Sequence, residues 1–391
     1  MQNFCTNGIW KVFCAALSLL TACAPPGWEV ETDARLIAGP VIEQGQLFVT
    51  VSRFDVVRQL RAYSPRTGEE LWQVPLSSWD DCPHLTARDE RVVVACGETV
   101  LGFERVTGLR QWSHHFEGPV QQLLSGREPM LLVSARVQER ELVLKALDSV
   151  TGQEKYALRL KPDARVLRFP KRLVIQEAQR LRGLELERGD PLWEVPWSSV
   201  DGELKASEGM LVVLSARGVA GWDVETGAQR WVLPTEGRVS PSLQDGLLVY
   251  AQAGQLMGVD LMTGQTRWSQ RMAGVISSPL LTHEDVFVHT AGGALRVHSA
   301  VDGVERWSAM VGAPGSYPVV NDLYYAWVGT GQVHVVDLKA RRRIQRVELD
   351  LMPEPEGVDP DRMVEQPLKL EGDRLYGIQQ RRRLFMVQVG G

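Results

Sequence analysis

The sequence predicts an all-β chain folded as a β-propeller of four-stranded antiparallel blades, on three observations. A turn glycine recurs at Gly68, Gly108, Gly152, Gly189, Gly227, Gly264 and Gly303, at intervals of 37 to 44 residues. Four positions after each stands an aromatic: Trp72, Trp112, Tyr156, Trp193, Trp231, Trp268 and Trp307. Between these come short apolar runs bounded by turn residues, such as Leu211–Leu214, Leu247–Tyr250, Val286–His289 and Tyr324–Val328. No stretch keeps a helical period over three turns. A period near forty residues with four short strands per unit is that of a propeller blade. The chain's 391 residues, enough for two or three ordinary domains, are thereby absorbed into one closed unit.

The first residues stand outside the repeat. Lys11 is the only charge before residue 29, and the apolar stretch Val12–Leu20 follows it. That is the length of a signal-peptide core and too short to span a bilayer, which needs about 20 apolar residues. It ends in Leu20-Thr21-Ala22-Cys23, a tetrapeptide that resembles the bacterial lipobox, so residues 1–22 read as a cleaved lipoprotein signal peptide. Cys23 would carry the diacylglyceryl group, its thiolate being the nucleophile the transfer needs. Residues 23–27 read as a short tether, polar and Pro-containing, and 28–391 as the propeller. Several acyl chains on Cys23 would hold the protein firmly at a membrane surface, which one chain alone does not. The lipobox resemblance further implies that Ala24 after the Cys, unlike an Asp, would permit export to the outer membrane of a double-membraned cell, facing the periplasm.

Cleavage removes Cys5 and Cys14 and leaves Cys82 and Cys96 beside the lipidated Cys23. A hairpin centred on Asp89 would set residues 82 and 96 opposite one another or nearly so, close enough for a disulfide in an oxidising compartment. Two partly buried free thiols are the other reading.

The repeat has further fixed positions. Six before the glycine is a small residue: Ala62, Gly102, Ala146, Gly183, Gly221 and Gly258, with Val297 in the seventh copy. Four before it the residue is polar and usually acidic: Ser64, Glu104, Asp148, Glu185, Asp223, Asp260 and Ser299. The glycine supplies positive φ in a tight turn between two strands. The acid accepts backbone N–H groups that the turn leaves free. The aromatic brings a large apolar plate with one polar handle, and the small residue leaves room for it.

An eighth copy is degraded, with Val335, Asp337 and Arg341 in the small, acidic and glycine positions and Gln345 in place of the aromatic. The Pro-rich stretch Met352–Asp361 reads as an exposed loop. Leu368–Leu370, Asp373–Ile378 and Leu384–Val389 then make three strands that lack an outer fourth. The segment Trp28–Thr32 is placed to supply it, closing the ring with both termini and removing an open sheet edge.

The spacing small-x-Asp-x-x-x-Gly-x-x-x-Trp resembles the tryptophan-docking motif of the PQQ-repeat propellers, over residues 28 to 389. The resemblance implies the fold and places the motif on the outer strands, where it locks blades together. Eight is the usual blade number in that family and is the expected count, nine being the sum of eight copies and the composite closing unit. One branch of the family, the quinoprotein alcohol dehydrogenases, holds PQQ and Ca²⁺ on the axis and carries a vicinal Cys pair. Cys82 and Cys96 are 14 apart, and no Asp, Asn and Glu cluster for Ca²⁺ is legible, so PQQ and Ca²⁺ have no support here. The other branch, the BamB lipoproteins of outer-membrane β-barrel assembly, shares the lipobox, the length and the closure by both termini. That branch implies a non-enzymatic scaffold whose partners are the barrel-assembly machinery and unfolded outer-membrane proteins. The alternatives are a PQQ- or other small-molecule-binding enzyme and a sensor or adhesin-like propeller with a partner of its own lineage.

Composition narrows the rest. With 44% hydrophobic and 23% charged residues the chain is an ordinary globular one, and a net charge of -5 argues against nucleic-acid binding. The histidines (His84, His114, His115, His283, His289, His298 and His334) are scattered, and neighbours in a strand, as His114 and His115 are, cannot chelate one ion together. No catalytic or metal residue is assigned. The basic runs Lys339–Arg343 and Arg381–Arg383 fall at expected turns, either as solvated turn charge or as contacts for an acidic partner or anionic headgroups.

Overall fold

The computed structural model describes residues 27–53, 57–76, 80–126, 129–138, 141–178, 180–196, 203–215, 218–236, 239–272, 274, 278–312, 315–329, 332–348, 368–379 and 383–389. Residues 1–22 expected to form a signal peptide, Cys23, the stretch 352–361 expected to form a loop and residues 381–382 of the second basic run lie outside the described residues. All regular structure among the described residues is β, and no helix there is long and apolar enough to cross a membrane.

The apolar runs become the second strand of each blade. Val92, Val93, Val94 and Ala95 in Arg91–Cys96 are all buried, as are Met210 through Leu214 in Met210–Ser215. A strand covered on both faces by neighbouring blades has no polar face to alternate with, so its sequence reads as a continuous hydrophobic run. The outermost strands differ. Glu70–Leu76, Glu154–Leu160 and Pro191–Pro196 alternate between exposed and half-buried positions, because one edge of each meets solvent.

Nine four-stranded antiparallel sheets form. Blade 1 spans 35–76, blade 2 84–115, blade 3 120–160, blade 4 165–196 and blade 5 203–234. Blade 6 spans 242–271, blade 7 280–310 and blade 8 316–348. Blade 9 takes Leu368–Glu371, Arg374–Gln379 and Arg383–Gln388 from the C-terminus and its outer strand, Gly27–Glu31, from the N-terminus. The first strands of adjacent blades approach one another and so line the axis.

The ring is closed. Buried apolar clusters fill every seam in turn, from Phe48, Leu60, Val92 and Val94 between blades 1 and 2 to Val333, Val335, Leu375 and Phe385 between blades 8 and 9. The last seam packs Leu36, Leu47 and Tyr63 of blade 1 on Tyr376, Leu384 and Met386 of blade 9.

The number of blades is therefore nine, not the eight expected from the family's usual count. The degraded eighth copy still builds a full sheet, since Val335 pairs with Gln345 in the register used by the intact copies. Arg341 stands in for the missing glycine by adopting φ of 54° itself. Gly27, assigned to the tether by sequence, is the first residue of the closing strand, opposite Val387.

Strand direction gives the ring two faces. One bears the turns between third and fourth strands, where the repeat glycines sit, together with the turns between first and second strands. The backbone N–H of Leu338 in the former donating to Leu323 O in the latter at 3.0 Å ties the two together. The other face bears the hairpins between second and third strands and the links from blade to blade.

Candidate functional site

The seven predicted glycine–aromatic copies are brought together across seams, not within blades. Each glycine has φ near 70° and meets the aromatic of the preceding blade. A Cβ on Gly108 would stand 2.6 Å from Cε3 of Trp72, and one on Gly227 2.5 Å from Cδ2 of Trp193. Only a bare backbone can pass so close. The polar handle of each plate is satisfied in the same turn. Trp72 donates to Arg105 O at 3.1 Å, Trp112 to Ser149 O at 3.2 Å, and the Tyr156 hydroxyl to Leu186 O at 2.7 Å. Trp193, Trp231 and Trp268 donate to Val224 O, Leu261 O and Ala300 O at 2.8, 2.9 and 3.0 Å.

The small residue lies opposite the aromatic on the neighbouring strand, as Gly221 does opposite Trp231. A Cβ at Gly221 would meet Cε2 of Trp231 at 2.1 Å. The acid caps the turn: Asp260 Oδ1 accepts the N–H groups of Met262 and Thr263 at 3.1 and 2.8 Å. Its Oδ2 accepts from Arg267 at 2.6 Å, and that guanidinium holds the carboxyl down to about 2 against the opposing effect of burial.

Trp307 breaks the pattern. Its partner position in blade 8 is Arg341, and Trp307 packs instead against the buried cluster of Phe287, Val297, Tyr325 and Trp327. This seam holds two buried imidazoles, His289, for which the sequence favoured packing over a metal role, and His334. His334 stacks on Trp327 at 4.8 Å between ring centroids, and His289 meets the same indole edge-on at 4.9 Å. Burial, with His334 adding to it, pushes His289 down to about 4.

Two seam residues were missed. Trp28 lies over Gly68 of blade 1 and donates to Pro65 O at 3.1 Å, making it the seventh aromatic docked on a glycine turn. The signal was present, since Trp28 precedes Gly68 by the same forty residues that separate Trp112 from Gly152. Arg105 reaches back from its turn in blade 2 to Gln46 Oε1 in blade 1 at 2.6 Å. It occupies an unconstrained position of the repeat, so no pattern marks it.

Cys82 and Cys96 lie at bonding distance in the core of the blade 1–2 seam, with Cα atoms 4.1 Å apart. The strand register sets Cys96 one residue off direct opposition, since His84 pairs with Ala95. His114 and His115 diverge, towards Glu154 and Glu98. Among the described residues no group of three His, Cys, Asp or Glu side chains is placed to hold a metal ion.

Concave surface is modest. A cleft of about 320 Å³ between blades 2 and 3 is lined by Thr86, Arg88, Ser125, Met130 and Val150. A more open one of about 540 Å³ between blades 3 and 4 is lined by Leu124, Arg168 and Phe169.

A family model described as outer membrane protein assembly factor BamB matches residues 18–167, 177–314 and 234–389. The structure is similar to that of BamB from Moraxella catarrhalis, with 19% identity, 78% of this chain and 96% of that one covered, and a TM-score of 0.52. It is also similar to the computationally designed Ika8 protein, with 16% identity, 79% and 98% covered, and a TM-score of 0.54. These two likenesses concern the fold. A stretch of 87 residues, 21% of this chain, is 36% identical to the serine/threonine-protein kinase AfsK of Streptomyces griseus. The chain spans about a tenth of that kinase's length.

Proposed function

This chain belongs to the family described as outer membrane protein assembly factor BamB, and on that premise we propose that it is a non-enzymatic envelope lipoprotein acting as a protein-interaction scaffold in outer-membrane β-barrel assembly. The observation that carries the reading is the extent of the match, which runs over the whole ring and not over one group of repeats. The geometry supports it. The repeated chemistry is spent on seams, each aromatic's polar handle being used by the next blade, which makes a rigid platform rather than a reactive centre. Among the described residues each outer strand also keeps one edge without a strand partner, a feature that suits recognition by strand addition.

The anchor belongs to the same proposal. Cys23, lipidated, would hold the ring at the periplasmic side of the outer membrane. Changing Cys23 to Ser tests this, with release to the soluble fraction expected; retention in the membrane argues against the lipobox.

The partner is tested by photo-crosslinking the native chain in its own membrane and identifying what is captured. Recovery of barrel-assembly components is expected. Their absence, with other envelope proteins captured efficiently, would remove the assembly role and leave the propeller intact.

A further inference from the structure

The chain enters the ring at Gly27, the start of blade 9's outer strand, and the next residue, Trp28, docks on the glycine turn of blade 1. The N-terminus therefore leaves from the face that carries the glycine turns. Cys23 stands four positions before Gly27, a span of at most about 14 Å. An anchor on so short a leash holds this face, at blade 9, close to whatever surface the acyl chains enter.

The blade 8 turn beside that exit differs in charge from the corresponding turns elsewhere in the ring, whereas exposed aliphatic side chains recur on this face, at Val106, Leu109, Val150 and Met262 as well as in blades 7 and 8. In blade 8 the turn that in blades 2, 3, 5 and 6 carries Glu or Asp with Thr and Gly reads Asp337-Leu338-Lys339-Ala340-Arg341-Arg342. Asp337 is turned inward to accept the N–H of Ala340 at 2.7 Å, while Lys339, Arg341 and Arg342 are exposed. On the same face, Val301 and Val304 of the blade 7 turn are 78% and 54% exposed, and Leu323 in the blade 8 turn that Leu338 touches is 47% exposed. Exposed aliphatic side chains beside clustered cations are the composition of a surface that lies on anionic headgroups. Acidic groups stand among them (Glu284, Asp302, Glu305, Asp322 and Glu371), so the attraction comes from the blade 8 turn and not from the face as a whole.

We propose that the glycine-turn face at blades 7 to 9 rests on an anionic lipid surface, with Lys339, Arg341 and Arg342 at the headgroups and Val301, Val304 and Leu323 in the interfacial layer. The proposal rests on the Cys23 anchor. It fixes the orientation of the ring: the opposite face, with its hairpins and blade links, points away from the membrane. A lipid anchor and a polybasic turn acting together form the two-part attachment that gives stable binding.

The test uses the mature, lipidated chain in vesicles of phosphatidylcholine with phosphatidylglycerol, labelled without reduction at V301C or at M310C. Met310 ends the outer strand of the same blade at the opposite face and is 73% exposed, so it is a matched control. A nitroxide-bearing lipid should quench a fluorophore at position 301 several-fold more than one at 310. K339E/R342E, with an unchanged thermal midpoint, should reduce quenching at 301 in these vesicles and leave it unaltered in phosphatidylcholine alone. Equal quenching at both positions, stronger quenching at 310, or indifference to the double variant would overturn the proposal. A chain that floats with the vesicles but shows one of these results keeps its anchor and loses the orientation; a chain that does not float loses both. Burial of position 301 only in native envelopes, and not in protein-free vesicles, would assign the face to an acidic protein and overturn the lipid contact.

Discussion

Trp28 covers Gly68 as Trp72 covers Gly108. In both pairs an atom of the indole lies 2.6 Å from where a Cβ on the glycine would stand, and the indole N–H donates to a backbone carbonyl at 3.1 Å. The first strand of the chain thus repeats, between the last blade and the first, the contact that holds the six seams from blade 1 to blade 7. Trp28→Ala should destabilise the protein by about 2–3 kcal/mol in urea unfolding, below the usual range for a fully buried plate because Trp28 is half-buried. Trp231→Ala, at 8% exposure, should cost about 3–5 kcal/mol. A loss under about 1 kcal/mol for Trp28 would mean that the termini, not the indole, hold the ring shut.

The fold was legible because each blade repeats one solution to one packing problem, and the fixed offsets of Gly227, Trp231 and Gly221 record it. The copies and the composite closing unit summed to nine, as observed, and only the family's usual number argued for eight; what the repeat did not reveal is how the two seams flanking blade 8 are held, because they solve the problem differently. The outer strand of blade 9 comes from the other end of the chain, so blade 9 has no third-to-fourth turn to receive an aromatic, and Gln345 in blade 8 has lost the reason to be Trp. The seam between blades 7 and 8 relies on Trp327 with His289 and His334, contacts between positions that vary from blade to blade. Such contacts have no period to find. The register of the Cys82–Cys96 hairpin was readable to within one residue from Asp89, which takes φ of 50° in its turn.

Gly221→Ala probes the cross-strand position. The new methyl would enter the place now held by the edge of Trp231. Ala62 and Ala146 face Trp72 and Tyr156 in other blades, so the change should be tolerated at a cost of about 1–2 kcal/mol, by thermal or urea unfolding. Ala62→Gly should cost about 1 kcal/mol or less, chiefly through chain entropy.

The Cys82–Cys96 pair gives a chemical prediction. The mature chain, unfolded without reductant, should show no thiol to alkylating agents and a mass lower by two hydrogens than after reduction. Replacing both cysteines by alanine should cost about 3 kcal/mol, the entropy of freeing a loop of 14 residues. Two reactive thiols in the chain purified from the envelope would refute the bridge.

His289 sets a pH dependence. Its ordinary value is 6.5 and the fold holds it down to about 4, so folded protein keeps the imidazole neutral while unfolded chain takes up a proton. The stability contributed is whole above pH 6.5 and is lost progressively as pH falls towards 4, by at most about 3 kcal/mol. Urea midpoints measured from pH 7 to pH 4.5 should fall with acid, and the slope should be shallower in His289→Gln. Equal slopes would mean that the imidazole is already protonated in the folded seam.

The central claim is that this propeller serves barrel assembly by binding and not by catalysis. It is tested most directly by deleting the chain from its cell and measuring the folded fraction of outer-membrane β-barrel proteins by heat-modifiable gel mobility. The account predicts a reduced folded fraction, restored by the wild-type chain and not by a form with Cys23 changed to Ser. An unchanged folded fraction in the deletion, with the chain's normal expression verified in the parent, would contradict it.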